Sequence, residues 1–124
     1  MEQEYIKGDI VMYDNKIHTI MDTLELNNYE LSYIEHPVHQ LELSGVPLTP
    51  EILEKNRWKK KMYCDWCHYL PIEGNILYLS KGVGIDGAFS VDVGQDMSYI
   101  TSISFVHQLQ HLLFGLGLNS EMEV

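Results

Sequence analysis

Hydrophobic and polar positions alternate along the start of the chain, then give way to helical spacing in two later places. Ile10-Val11-Met12-Tyr13 reads as a strand, Asp14-Asn15 as a turn whose residues tolerate left-handed geometry, and Lys16 to Met21 as the returning strand. Asn27-Asn28 is expected to form a second turn before a third strand from Tyr29 to Ile34. Three strands with one apolar face need further structure to cover them. The stretch HPVHQLELSGVP (36–47) is a connector, punctuated by Pro37, Gly45 and Pro47.

Leu48-Thr49-Pro50-Glu51-Ile52-Leu53 is the clearest helix start. The Thr49 hydroxyl suits an N-cap, and Pro50 suits the first helical position, where a missing amide hydrogen costs nothing. Glu51 favours the positive helix end, and Leu48 can staple onto Leu53. This helix is expected to end near Asn56, a residue that accepts a left-handed C-terminal cap. Segments 61–70, 75–80, 86–93 and 97–100 then read as strands, separated by Glu73-Gly74-Asn75 and by the glycines at 82, 84, 87 and 94. In the last segment Phe105, Val106, Leu109, Leu112, Leu113 and Leu116 recur at helical spacing and form one apolar stripe, ended by Gly115 or Gly117.

The fold class that follows is α+β. An N-terminal antiparallel β-meander of SH3-like type and its connector (1–46) precede a second part (47–124). That part comprises the short capped helix and a second antiparallel sheet, which the C-terminal helix is expected to cover. The whole chain, 1–124, is read as one domain, because 124 residues can hold a hydrophobic core without disulfide staples.

Composition narrows the function classes. Hydrophobic residues make up 45% and charged residues 21%, so the chain is globular rather than disordered. The 18 acids against 8 bases give a net charge of -10, which repels phosphate backbones and disfavours nucleic-acid binding. A cationic protein surface would be attracted instead, so an acidic decoy of a DNA-binding protein is one alternative function. Five of the 8 bases, Lys55, Arg57, Lys59, Lys60 and Lys61, fall within one short stretch and read as a solvated helix end. The N-terminus lacks the basic and apolar regions of a signal peptide, and no run approaches the roughly eighteen apolar residues of a membrane span. A cytoplasmic location with no membrane partner is expected.

Candidate chemistry centres on Met62 to Leu70, MYCDWCHYL, which contains C-x-x-C-H. Haem attachment would need both thiols on one side. A strand running through Trp66 would instead put Cys64 and Cys67 on opposite faces, as free thiols. His36 and His39 upstream, with Cys64 and Cys67, make a legitimate tetrahedral zinc set, and a zinc-stabilised binding module is the second alternative. His107 and His111 share a helix face, but Gln108 stands where a zinc-protease helix has its glutamate, so this face is read as structural. A thiolate nucleophile near Lys59 to Lys61 lacks any legible partner group. Gly82-Val83-Gly84-Ile85-Asp86-Gly87 has no lysine for a phosphate loop. No cofactor, no resident metal and no catalytic residue are expected.

Pro47 to Trp58, GVPLTPEILEKNRW with its two preceding residues, and Val106 to Leu112, VHQLQHL, together resemble small prophage-associated proteins of Gram-negative gut anaerobes. That group carries a P-L-T-x-E-x-L-x-K-N-G-F-like segment, strands and a closing V-H-Q-L-Q-x-L helix. Gly8-Asp9 followed by alternating strands resembles it more loosely. Arg57 stands where the group has glycine, and the cysteine-bearing strand is longer here. The resemblance implies no activity. It implies a cytoplasmic accessory protein whose cysteines lie outside the shared pattern. The expected function is accordingly a non-catalytic accessory or protein-interaction domain, with an unknown protein partner or a second copy of the chain as its target.

Overall fold

The computed structural model describes residues 4–62, 67–81, 88–94, 96 and 98–124. The chain divides into two compact units: Met1–Pro47 with Phe105–Met122, and Leu48–Ser104 with Glu123–Val124. Among the described residues, two five-stranded antiparallel sheets and two α-helices make the fold α+β, as the hydrophobic pattern predicts.

In the first unit, strands β1 (Ile10–Tyr13), β2 (Lys16–Leu24), β3 (Asn28–Leu31), β4 (Val38–His39) and β5 (Ser44–Gly45) lie in the order β4-β3-β2-β1-β5. Four strands form a meander, one 3-10 turn (Gln40–Glu42) follows, and the fifth strand returns to pair with the first. That is the connectivity of an SH3-like meander. Asp14 and Asn15 both take positive φ (50° and 62°), the type I′ geometry that matches strand twist, and Tyr13 pairs with Lys16 across the turn. Val11, Ile20, Tyr29, Leu31 and Val38 point to one face and form the core with Tyr5 and Leu43.

The second turn sits one residue earlier than Asn27-Asn28. Leu26 (φ 59°, ψ 37°) and Asn27 (φ 59°) occupy its centre, and the Asn28 amide donates to the Glu25 carbonyl. The reason lies in the register: Thr23 pairs with Tyr29 and Tyr29 is fully buried, so sliding the turn would move Tyr29 off the core face. Packing overrides the turn preference of an Asn-Asn pair.

The C-terminal helix α2 (Val106–Gly115) also belongs to the first unit, which corrects its expected place over the second sheet. The Val106 amide donates to the Val46 carbonyl at 2.9 Å, and Pro47 bridges to Phe105. Gly45 lies so close to Phe105 that an added Cβ would meet Cγ at 2.6 Å. The buried face comprises Val106, His107, Leu109, Gln110 and Leu113, rotated from the expected stripe toward His107 and Gln110, while Phe105 and Leu116 are exposed. The helix closes on Gly117 (φ 74°), with Leu118 donating to the Leu113 carbonyl and Gly117 to the Phe114 carbonyl, a Schellman pair.

In the second unit, helix α1 (Pro50–Lys55) starts as the sequence predicts: Thr49 Oγ1 accepts from the Ile52 amide at 3.2 Å. Its left-handed terminal residue is Arg57 (φ 72°), one position beyond the expected Asn56. Asn56 instead holds the chain end, exchanging hydrogen bonds with the Glu123 backbone. Strands β6 (Lys59–Lys60), β7 (Cys67–Ile72), β8 (Asn75–Lys81), β9 (Phe89–Val93) and β10 (Ser98–Ile103) form a meander in sequence order. Leu77, Leu79, Phe89 and Val91 are buried, as are Leu53 and Trp58. Lys59 pairs with Tyr69 and Lys60 with His68, so β6 and β7 are antiparallel neighbours; of the strand expected over 61–70, residues 67–70 lie in β7 and 63–66 fall outside the described residues.

Candidate functional site

Two features of the first unit stand out from ordinary packing. The first is a polar cluster built by α2 on the start of β1. Gln110 faces the core side of the helix; its Oε1 accepts from the Ile10 amide at 2.9 Å, and its Nε2 donates to the Gly8 and Ser120 carbonyls. These bonds pin the Ile6–Asp9 turn, in which Gly8 takes a positive φ of 96°. The turn in turn presents Asp9, a buried carboxylate that accepts from the Ile6 amide at 2.9 Å and from His111 Nε2 at 2.6 Å.

The Asp9 carboxylate accepts from Nε2–H of His111 and so orients the ring. Burial raises the Asp9 pKa, opposed by the Ile6 amide and the His111 bond. His107, one turn earlier, is buried beside Phe105, Tyr5 and His111, with ring centroids 5.9, 4.9 and 5.7 Å away. Burial, then the neighbouring His111, pushes the His107 pKa from 6.5 down to about 4, so it is a neutral ring at pH 7. Tyr5 is pushed up to about 12, chiefly by burial and then by Glu4. Its amide donates to the Tyr29 hydroxyl, which itself donates to Gln40 Oε1 at 2.8 Å. Beside this cluster a cleft of about 290 Å³ opens, lined by Ile6, Lys7, Asp9, His111, Phe114 and Ser120 among others.

The second feature is a group of exposed leucines at one end of the first sheet. Asn28 pairs with His39, which brings the β2–β3 turn to the same sheet end as the 3-10 turn after β4. Leu24 (39% exposed) and Leu26 (84%) belong to the former, and Leu41 (76%) to the latter. Leu26 is held in the left-handed region, where a Cβ-bearing residue costs about 1–2 kcal/mol. A large apolar side chain is thus both solvated and conformationally strained.

The residues singled out by sequence scatter by comparison. His36 is exposed; its Nδ1 lies 3.1 Å from the Pro37 carbonyl and its ring packs edgewise on Tyr13. His39 starts the 3-10 turn, with Nδ1 accepting from the Leu41 amide while Glu42 bonds back to the His39 amide. Cys67 is buried at the start of β7, and its sulfur accepts from the Ser80 hydroxyl at 3.4 Å. Cys64 lies outside the described residues, as do Trp66 and the 82–87 glycine stretch. Among the described residues no three His, Cys, Asp or Glu side chains are grouped to hold a metal. His68, the histidine of C-x-x-C-H, is buried with neither ring nitrogen hydrogen-bonded, and its Nε2 lies 3.9 Å from Glu54.

Sequence reading placed His107 and His111 on one helix face but missed Asp9, the partner that orients His111 from 102 positions away. It likewise missed Leu26, for which the only local signal was a leucine beside Asn27 in a turn region. No helix among the described residues is long and apolar enough to cross a membrane. No protein-family model, curated protein or solved structure matches the chain.

Proposed function

We propose that this chain is a non-catalytic, cytoplasmic accessory protein that works by binding another protein through the leucine-bearing end of its first sheet. The observation that carries this reading is Leu26: an 84% exposed leucine kept in left-handed geometry. Turn positions of this type favour glycine or asparagine, so a leucine there lowers the stability of the free protein without any compensating burial. Strain of this sort concentrates at functional positions. With Leu24 and Leu41 at the same sheet end, Leu26 forms an apolar anchor of the kind that fills a partner's pocket. The acidic field of the chain, with a net charge of -10, favours a partner with a basic rim around that pocket.

The resemblance to prophage-associated proteins supports an accessory role. Arg57 adds to that support: it adopts the left-handed conformation at the position where that group carries glycine.

A photoreactive residue placed at Leu26 or at Leu41, and a control at the exposed Lys16 at the opposite end of β2, tests the reading in cells. One discrete adduct of the same mass from both leucine positions, absent from position 16, is expected. Adducts of twice the chain mass would make the partner a second copy. Equal labelling from all three positions, or none from the leucines, would remove the support for this surface.

A further inference from the structure

We propose that the end of α1 is a docking site for an extended acidic segment of a partner protein, and that residues 121–124 of this chain occupy it until they are displaced. Asn56 is the centre of the site. Its Nδ2 donates to the Glu123 carbonyl at 2.7 Å, and its Oδ1 accepts from the Glu123 amide at 2.8 Å. Nδ2 also donates to the Ile52 carbonyl at 2.8 Å, which fixes the side-chain amide on the helix. Asn56 therefore presents one donor and one acceptor to the backbone of a single residue, as the edge of a β-strand does to an added strand. Such bonds recognise an extended backbone whatever side chains it carries.

Charge selects the side chains. Residues 51–61 carry five bases and two acids, a net charge of +3 in a chain of -10. Lys55, Arg57, Lys59, Lys60 and Lys61 are all exposed. Lys55 Nζ donates to the Val124 carbonyl at 3.2 Å, while Arg57 and Lys59 make no ion pair among the described residues. The segment held here, Glu121-Met122-Glu123-Val124, alternates acids with apolar residues. From Leu118 to Val124 half-buried positions alternate with exposed ones, the pattern of an extended chain, with Met122 and Val124 half-buried and both glutamates exposed. An acidic segment thus sits on the most basic stretch of the protein, and a partner segment of the same alternation has the same complementarity.

The contact is built for exchange. All three bonds to Glu123 and Val124 are solvent-exposed and go to backbone groups, and residues 119–124 belong to no helix or strand. Another extended segment replaces them bond for bond, so displacement leaves no donor or acceptor unpaired.

The test is an NMR titration of the full chain with the blocked peptide SEMEV and, separately, with its lysine counterpart SKMKV and with oligothymidylate. Glu123→Pro removes the amide hydrogen that Asn56 accepts and so frees the site without touching it. A site free about one-tenth of the time binds about tenfold more weakly than one always free, so Glu123→Pro should bind SEMEV about tenfold more tightly than the parent. Saturable shifts at residues 55–61 and at the Asn56 side-chain amide are expected with SEMEV alone. In the Glu123→Pro background, Asn56→Ala should abolish them, and Lys55→Glu, a change at an exposed side chain, should weaken SEMEV by about fivefold. Equal affinity of parent and Glu123→Pro, equal binding of SKMKV or oligothymidylate, an unaltered titration in Lys55→Glu, or no saturable shift at residues 55–61 would each overturn the proposal.

Discussion

Acid should destabilise the first unit through one side chain, His107. In the folded protein its pKa is about 4, against 6.5 for an unburied imidazole, because burial and the adjacent His111 oppose the charged form. The folded state therefore binds fewer protons than the unfolded chain between those values, and stability falls as pH falls through the window from 6.5 to about 4. By about pH 4.5 the loss amounts to about 2.5 kcal/mol, from 1.36 kcal/mol per pK unit over most of the shift. With urea slopes of about 1–3 kcal/mol/M, that moves the unfolding midpoint by about 1–2.5 M. Asp9 works in the opposite sense. Its raised pKa makes the folded state the better proton binder just above 3.8, so its ionisation lowers stability as pH rises through its own window.

The assay is urea unfolding at about pH 7 and about pH 4.5, followed by hydrogen exchange at the Val11 and Tyr29 amides, which report on the first unit alone. His107→Phe retains a ring of similar shape beside Tyr5, Phe105 and His111 but cannot titrate. It should remove most of the acid loss seen in the parent. An unchanged acid loss in His107→Phe would refute the assignment.

Three further substitutions test the packing. Thr49→Ala removes the bond to the Ile52 amide and should cost about 1 kcal/mol in the second unit, read from denaturation followed by Trp58 fluorescence. Leu109→Ala empties a fully buried position of α2 and should cost about 2–5 kcal/mol in the first unit, measured by exchange at Val11 and Tyr29. Gly45→Ala forces a Cβ against Phe105 Cβ and Cγ, near the root of that side chain, and should cost about 1–3 kcal/mol in the same exchange measurement.

Elements with local causes were legible in the sequence, and elements with distant causes were not. Thr49-Pro50 carries its helix start within four residues, and Asp14-Asn15 carries its turn within two. The existence of α2 followed from its periodicity, but its buried face did not. Gln110 is buried because the Ile10 amide, 100 positions earlier, needs an acceptor, and hydropathy counts glutamine as surface. The same distance hid the candidate site: Asp9 is one acid among 18 until the fold places it 2.6 Å from His111. The Leu26 turn was misplaced by one residue because Asn27-Asn28 has the better turn chemistry. The burial of Tyr29 sets the register instead.

The central claim is that Leu26 is retained for contact with a partner and against the stability of the free protein. Crosslinking from Leu41 in a Leu26→Asn variant tests this most directly, with the unfolding free energy of the same variant measured alongside. Asparagine accepts left-handed geometry at lower cost, so the variant should be about 1 kcal/mol more stable than the parent. Its adduct from position 41 should nevertheless be lost. A Leu26→Asn protein that is as stable as expected and still gives the full position 41 adduct would contradict the account.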